Sequence, residues 1–231
     1  GESNFIVAHH PNKFKQIKEQ AEVYKSEFGI ETELYSKEEF NKFGHGGNEQ
    51  FGALSYKPGF AINPLKFVNG ITKYALSKKL KIFEHTLVDK INKNNGYYTL
   101  KSKEGSVKAK KVVVATNGFY QEGLVPQLNS RILPVISNII VTRKLTDKEI
   151  DLHNFKTFSP IVNTKNLLYY YRKLPDNRIL FGTRVDFIGS DQSNLDRAKI
   201  MEKFFKNIFP DWASISIDYN WRGLIAMSQK L

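Results

Sequence analysis

The apolar spacing of this chain changes character at Gly118, and that change limits its fold more than any other feature. Up to Gly118 helical and extended patterns alternate; beyond it long extended patterns dominate. From Pro11, a favourable first helical residue, Phe14, Ile17, Ala21, Tyr24 and Phe28 recur at three- and four-residue spacing as far as Gly29, which suits a helix C-cap. The segment before it, Gly1 to Ala8, alternates weakly and reads as a strand. Ser36 to Glu39 matches a capping box with Tyr35 and Phe40 placed for a hydrophobic staple, so a short helix follows. Residues 43–59 read as loop, and Asn63-Pro64 then opens a helix whose apolar stripe, Leu65, Val68, Ile71 and Ala75, runs to about Leu80. A strand over 81–91 is followed by a hairpin of 97–101 and 106–110 that turns at Glu104-Gly105. A buried strand, Val112-Val113-Val114-Ala115 within 111–116, completes this half.

The order helix, strand, hairpin, buried strand fits the middle of a dinucleotide-binding domain, where a small antiparallel excursion precedes the last parallel strand. After Gly118 come extended segments at 131–141, 167–172, 178–183 and 214–219, which suggest a mixed or antiparallel sheet. One helix over about 195–208 interrupts them, with Ala198, Met201, Phe205 and Ile208 on its inner face. There are no repeats, low-complexity tracts or charged tails.

At 231 residues the chain can bury a substantial core as one large or two small domains. With no cysteine it has no disulfide, thiolate metal site or thiol nucleophile, and a reducing, cytoplasmic location is the simpler expectation. No apolar stretch approaches the roughly 20 residues of a membrane helix, and no secretion signal opens the chain. The net charge of +12 would attract polyanions, yet the lysines are mostly scattered singly, and the one dense run, Lys108, Lys110 and Lys111, flanks a strand edge. Nucleic acid is therefore not an expected partner.

Few constellations suggest chemistry. No GxGxxG is present, and Gly46-Gly47 after His45 reads as a flexible loop because no buried strand precedes it and no helix follows. His9-His10 at a strand end would point to opposite faces with no carboxylate cluster nearby, so no metal is expected. Thr116-Asn117-Gly118 closes the buried strand, where α/β sheets bind ligands; an ordinary Asn-Gly turn explains it equally well. In Tyr169-Tyr170-Tyr171-Arg172, alternation puts Tyr169 and Tyr171 on one face and Tyr170 and Arg172 on the other. An arginine beside a tyrosine can hold a substrate carboxylate, or both can simply lie on an exposed sheet face.

Taken in order, several short stretches resemble the D-amino-acid oxidase-like family of FAD oxidoreductases, nearest its gamma-glutamylputrescine oxidase and glycine oxidase types. They are Gly52-Ala53-Leu54 with Gly59 to Pro64, Phe83 to Val88, Val112 to Gly118, and Leu133-Pro134. Then follow Tyr170-Tyr171-Arg172 with Ile179 to Gly182, and Phe209-Pro210 with Ile217 to Gly223. The likeness covers nearly the whole chain, through order and spacing and not any single motif.

The resemblance implies an α+β (mixed α/β) chain: a large mixed or antiparallel substrate-domain sheet with helices, plus an incomplete Rossmann-like FAD-binding portion. Residues 1–57 and 122–220 would form the substrate-binding domain, and 58–121 with 221–231 part of the FAD-binding domain. It also implies cofactor contacts at Val88, at Ala115, Thr116, Asn117 and Gly118, and at Trp221 and Gly223. Substrate-side candidates are Tyr169, Tyr171 and Arg172, with the catalytic residue itself unassigned. The implied reaction is hydride transfer from an amine or amino acid to FAD, giving an imine. Similar proteins carry one glycine-rich stretch before, and another after, the region matched. This chain is therefore expected to be a middle portion with Gly1 left from tag removal, to hold FAD poorly and be inactive alone, and to associate through surfaces a missing segment would cover. The rival expectation is a non-enzymatic basic α+β binding module, which salt-dependent oligonucleotide retention without a flavin response would support.

Overall fold

The computed structural model describes residues 3–57, 59–186 and 193–228. Gly1, Glu2 and Leu231, on which the expected ends of the chain rest, lie outside the described residues. The elements run β1 (Asn4–Val7), α1 (Pro11–Phe28), β2 (Thr32–Tyr35), α2 (Lys37–Phe43), β3 (Ala53–Tyr56), α3 (Pro64–Ser77), β4 (Lys90–Asn94), β5 (Tyr97–Lys101) and β6 (Ser106–Ala109). They continue as β7 (Ile132–Thr142), α4 (Asp147–Leu152), β8 (Ile161–Asn163), β9 (Tyr169–Lys173), β10 (Ile179–Asp186), α5 (Ser193–Ile208) and β11 (Ile217–Ser228). Contacts divide them into two compact units, residues 1–61 with 136–223 and residues 62–135 with 224–231.

The larger unit is built on an eight-stranded mixed sheet in the order β11-β7-β10-β9-β8-β1-β3-β2. The β1–β8 pair is parallel, and β1–β3, β2–β3, β8–β9, β9–β10 and β7–β10 are antiparallel. The α1 helix starts where His10 accepts the Asn12 amide and Pro11 needs no donor, and it stops at Gly29 in the left-handed region (φ 62°). Its Ile17 and Ala21 pack on Ile6, Ala8 and Leu54. The α2 capping box forms between Ser36 and Glu39, and Tyr35 packs edge-on against Phe43 at 4.8 Å. A larger aromatic core, including Phe40, Phe155, Phe181, Phe205, Phe209 and Trp212, fills the space where α2, α4 and α5 meet the sheet. Each such buried ring contributes about 1.5–3 kcal/mol.

Four expectations are corrected. Residues 43–59 are not all loop: β3 lies within them and joins β1 to β2. The glycines of that segment are fixed rather than flexible, since the Gly46 amide donates to the His153 carbonyl at 2.7 Å and Gly47 is buried against Ile208 and Phe209. The strand expected over 81–91 begins only at Lys90, and residues 111–116 form no strand, with Val113 88% exposed. A valine run favours extension only when a neighbouring strand completes its hydrogen bonds, and among the described residues none pairs with it.

The smaller unit comprises α3, the antiparallel sheet β4-β5-β6 and the last residues of β11. Asn63 Oδ1 accepts the Lys66 amide at 3.0 Å to start α3, as the sequence predicts. None of its residues is buried: Leu65, Phe67, Val68, Ile71, Tyr74 and Leu76 all stand exposed. No described helix is long and apolar enough to cross a membrane.

Candidate functional site

Alternation along β9 separates the predicted substrate-side residues. Tyr169 and Tyr171 point into the aromatic core at 7% and 3% exposure, while Tyr170 and Arg172 occupy the opposite face and are half-buried. Arg172 therefore shares its face with Tyr170, not with the two tyrosines grouped with it as candidates.

On the core side, Tyr171 meets His45. The His45 Nδ1 accepts the Gly47 amide at 3.1 Å, which leaves the proton on Nε2 to donate to the Tyr171 hydroxyl at 2.9 Å. Phe40, Phe155 and Phe209 surround the imidazole with ring centroids 5.3–5.5 Å away. Burial, aided by nearby His153, pushes the His45 pKa down to about 3, and burial raises that of Tyr171. This pair therefore stays neutral.

On the other face Tyr170 stands in register with Gly182 on β10. A Cβ at Gly182 would lie 2.1 Å from the tyrosine ring, so the ring lies across the strand only because this residue has no side chain. The Tyr170 hydroxyl also meets Ser137 Oγ on β7 at 2.5 Å. Burial raises the Tyr170 pKa, opposed by the Ser137 bond and the positive charge of Arg184. Burial lowers the Arg172 pKa. The result is a fixed phenol flanked by arginines, a surface suited to a molecule carrying a negative or hydrogen-bonding group.

In the smaller unit, Asn117 and Gly118 fasten the end of β11. Asn117 takes a left-handed conformation (φ 51°), and its Oδ1 accepts the Ala226 amide at 2.7 Å. A Cβ on buried Gly118 would stand 2.8 Å from Leu224 Cβ, so close chain approach accounts for this glycine. Ala115 and Thr116 are exposed just before this turn. Half-buried Val88 lines a cavity of about 630 Å³ with Phe83, Thr86, Leu100 and Val107 and with the polar Lys81, Lys101 and Glu104. Trp221 is 48% exposed, and Gly223 has open space where a side chain would be.

The paired histidines have structural roles: His9 Nδ1 bonds Thr164 Oγ1 at 2.7 Å, and His10 caps α1. Among the described residues no cluster of three His, Cys, Asp or Glu could hold a metal. Sequence reasoning missed His45, Ser137 and Gly182. Only Gly182 left a local signal, a glycine inside a strand pattern.

The larger unit packs an aromatic core with α2, α4 and α5 against one face of its mixed sheet and α1 against the other, the face that carries Tyr170 and Arg172, and the smaller unit holds a cavity of its own. The chain belongs to the FAD dependent oxidoreductase family, whose pattern matches residues 3–231. It is 31% identical over 170 residues to a probable oxidoreductase OrdL of Haemophilus influenzae, covering 72% of this chain and 38% of that protein. It is 28% identical over 172 residues to the gamma-glutamylputrescine oxidoreductase of Escherichia coli, covering 74% and 39%. The fold matches glycine oxidase from Geobacillus kaustophilus with a TM-score of 0.77 at 16% identity, over 99% of this chain and 60% of that one. L-Proline dehydrogenase from P. horikoshii matches with a TM-score of 0.76 at 16% identity, over 98% and 61%. The chain thus spans about two fifths of the length of the curated relatives it matches.

Proposed function

We propose that the protein is part of an FAD-dependent enzyme that oxidises the carbon–nitrogen bond of an amine or amino acid to an imine, which water then hydrolyses. The carrying observation is the family match over residues 3–231, joined to the Tyr170 and Arg172 face of the sheet. When bound, FAD supplies the acceptor for a hydride. The larger unit takes the substrate role. Arg172 orients a carboxylate or other acceptor group of the substrate, Tyr170 holds a hydrogen bond at a fixed point, and Tyr169 and Tyr171 brace the strand from its core side. In the smaller unit, Val88 and the turn from Ala115 through Thr116 and Asn117 to Gly118 border the adenosine end. Trp221 and Gly223 lead β11 toward that turn along the chain. The relative that acts on gamma-glutamylputrescine favours a substrate in which an amine and a carboxylate occur together.

The test is anaerobic reduction of the FAD-loaded protein by a panel of gamma-glutamylputrescine, glycine, proline and simple primary amines. Bleaching of the flavin absorbance by at least one of them is expected, with an Arg172→Leu variant weaker toward carboxylate-bearing members. A protein that binds FAD yet is bleached by none of the panel would overturn the reading.

A further inference from the structure

Cross-strand register gathers lysines that are scattered in the sequence onto one face of the β4-β5-β6 sheet. Lys90 on β4 stands directly opposite Lys101 on β5, and Lys108 on β6 opposite Thr99, and all three lysines are exposed. Alternation adds Asn92, Asn94, Tyr97 and Ser106 to that face, so no carboxylate occupies a strand position on it. The apolar Ile91, Leu100, Val107 and Ala109 lie on the other face. Like charges directly opposite each other in a sheet repel, and among the described residues no ion pair reaches Lys90, Lys101 or Lys108. The Lys108 ammonium sits 4.6 Å above the ring of Tyr97, the one aromatic at these positions.

We propose that this face docks on an anionic phospholipid surface. A negative surface relieves the repulsion between Lys90 and Lys101 that no acid of the sheet offsets. Ammonium groups act as point charges and suit phosphates held in no fixed geometry, whereas the forked recognition of protein carboxylates calls for arginine, and these strands carry none. A single-stranded nucleic acid would need rings free to stack, and Lys108 covers Tyr97. An exposed tyrosine among lysines also suits the headgroup level of a bilayer. Contact is with headgroups alone, because the apolar strand residues face the other way. The inference concerns where the protein rests, and it goes beyond the amine-oxidising reading above.

The test is sedimentation with vesicles of phosphatidylcholine containing about one third phosphatidylserine, at low salt. The parent should pellet with these vesicles, be released as salt rises, and stay in solution with phosphatidylcholine alone. Lys90→Gln, Lys101→Gln and Lys108→Gln together should weaken binding about fivefold per lysine, and the same three changed to Arg should preserve it. Lys15→Gln, Lys25→Gln and Lys203→Gln, which remove equal charge from exposed positions elsewhere, should cost far less. Circular dichroism checks that each variant folds. The proposal is overturned if the parent does not bind anionic vesicles, if neutral vesicles bind as well, or if the two Gln triples lose binding equally. Retention on a single-stranded oligonucleotide or on polyglutamate, tighter than on vesicles and lost in the Lys90, Lys101 and Lys108 variant, overturns it in favour of another class of partner.

Discussion

The His45 imidazole donates to the Tyr171 hydroxyl across 126 residues of sequence, at 2.9 Å and inside a cage of phenyl rings. It ties the loop after α2 to the middle of the strand whose other face carries Tyr170. Because His45 is fully buried, the pair makes the larger unit sensitive to acid.

The folded His45 has its pKa lowered from 6.5 to about 3, so between these values the unfolded chain binds more protons than the folded one. Stability is full above pH 6.5 and falls as the pH drops toward 3, by an amount on the order of 5 kcal/mol for this group. Urea midpoints measured across that range will show the decline. His45→Phe should flatten this component while costing about 1–3 kcal/mol at neutral pH for each partner left unbonded, the Gly47 amide and the Tyr171 hydroxyl. An unchanged pH slope in that variant would sink the assignment.

Gly182→Ala should displace the Tyr170 ring, since the new methyl would sit 2.1 Å from it. We expect a loss of about 1–3 kcal/mol and a Tyr170 pKa that returns toward the ordinary phenol range as burial, its largest cause, is relieved, with the loss of the Ser137 bond opposing only part of that fall. Thermal melts and ultraviolet titration of tyrosinate measure both. If neither moves, the ring does not depend on the glycine.

Gly118→Ala forces a Cβ to within 2.8 Å of Leu224, and should loosen the end of β11 from the turn at Asn117. Asn117→Gly keeps the left-handed backbone and removes only the side-chain bond to the Ala226 amide. Hydrogen exchange at Ala226 should speed up in both variants, and equal protection in parent and variants would refute the fastening role.

Phe67 and Ile71 on α3 are 55% and 53% exposed. Replacing both with Ser should leave the melting transition nearly unchanged, within about 0.5 kcal/mol per site, while reducing self-association in sedimentation runs. A large drop in stability would mean that these side chains are packed within the protein after all.

What the sequence by itself determined is local. Pro11 and Gly29 bound α1, Ser36 with Glu39 begins α2, Asn63 begins α3, and the β5–β6 hairpin turns at Glu104-Gly105 as read. Each rests on groups a few residues apart, so their hydrogen bonds follow from neighbouring side chains alone. Alternation likewise separated Tyr169 and Tyr171 from Tyr170 and Arg172 before any coordinates, but not which face would be core. Tertiary structure decided that by setting Phe181, Phe205 and Phe209 against one side. It also decided that β3 pairs with β1, that β1 runs parallel to β8, and that the valine run at 112–114 stays unpaired. A strand is completed by hydrogen bonds from a distant segment, and a buried histidine by a hydroxyl 126 residues away, so neither can be read from its own stretch of chain.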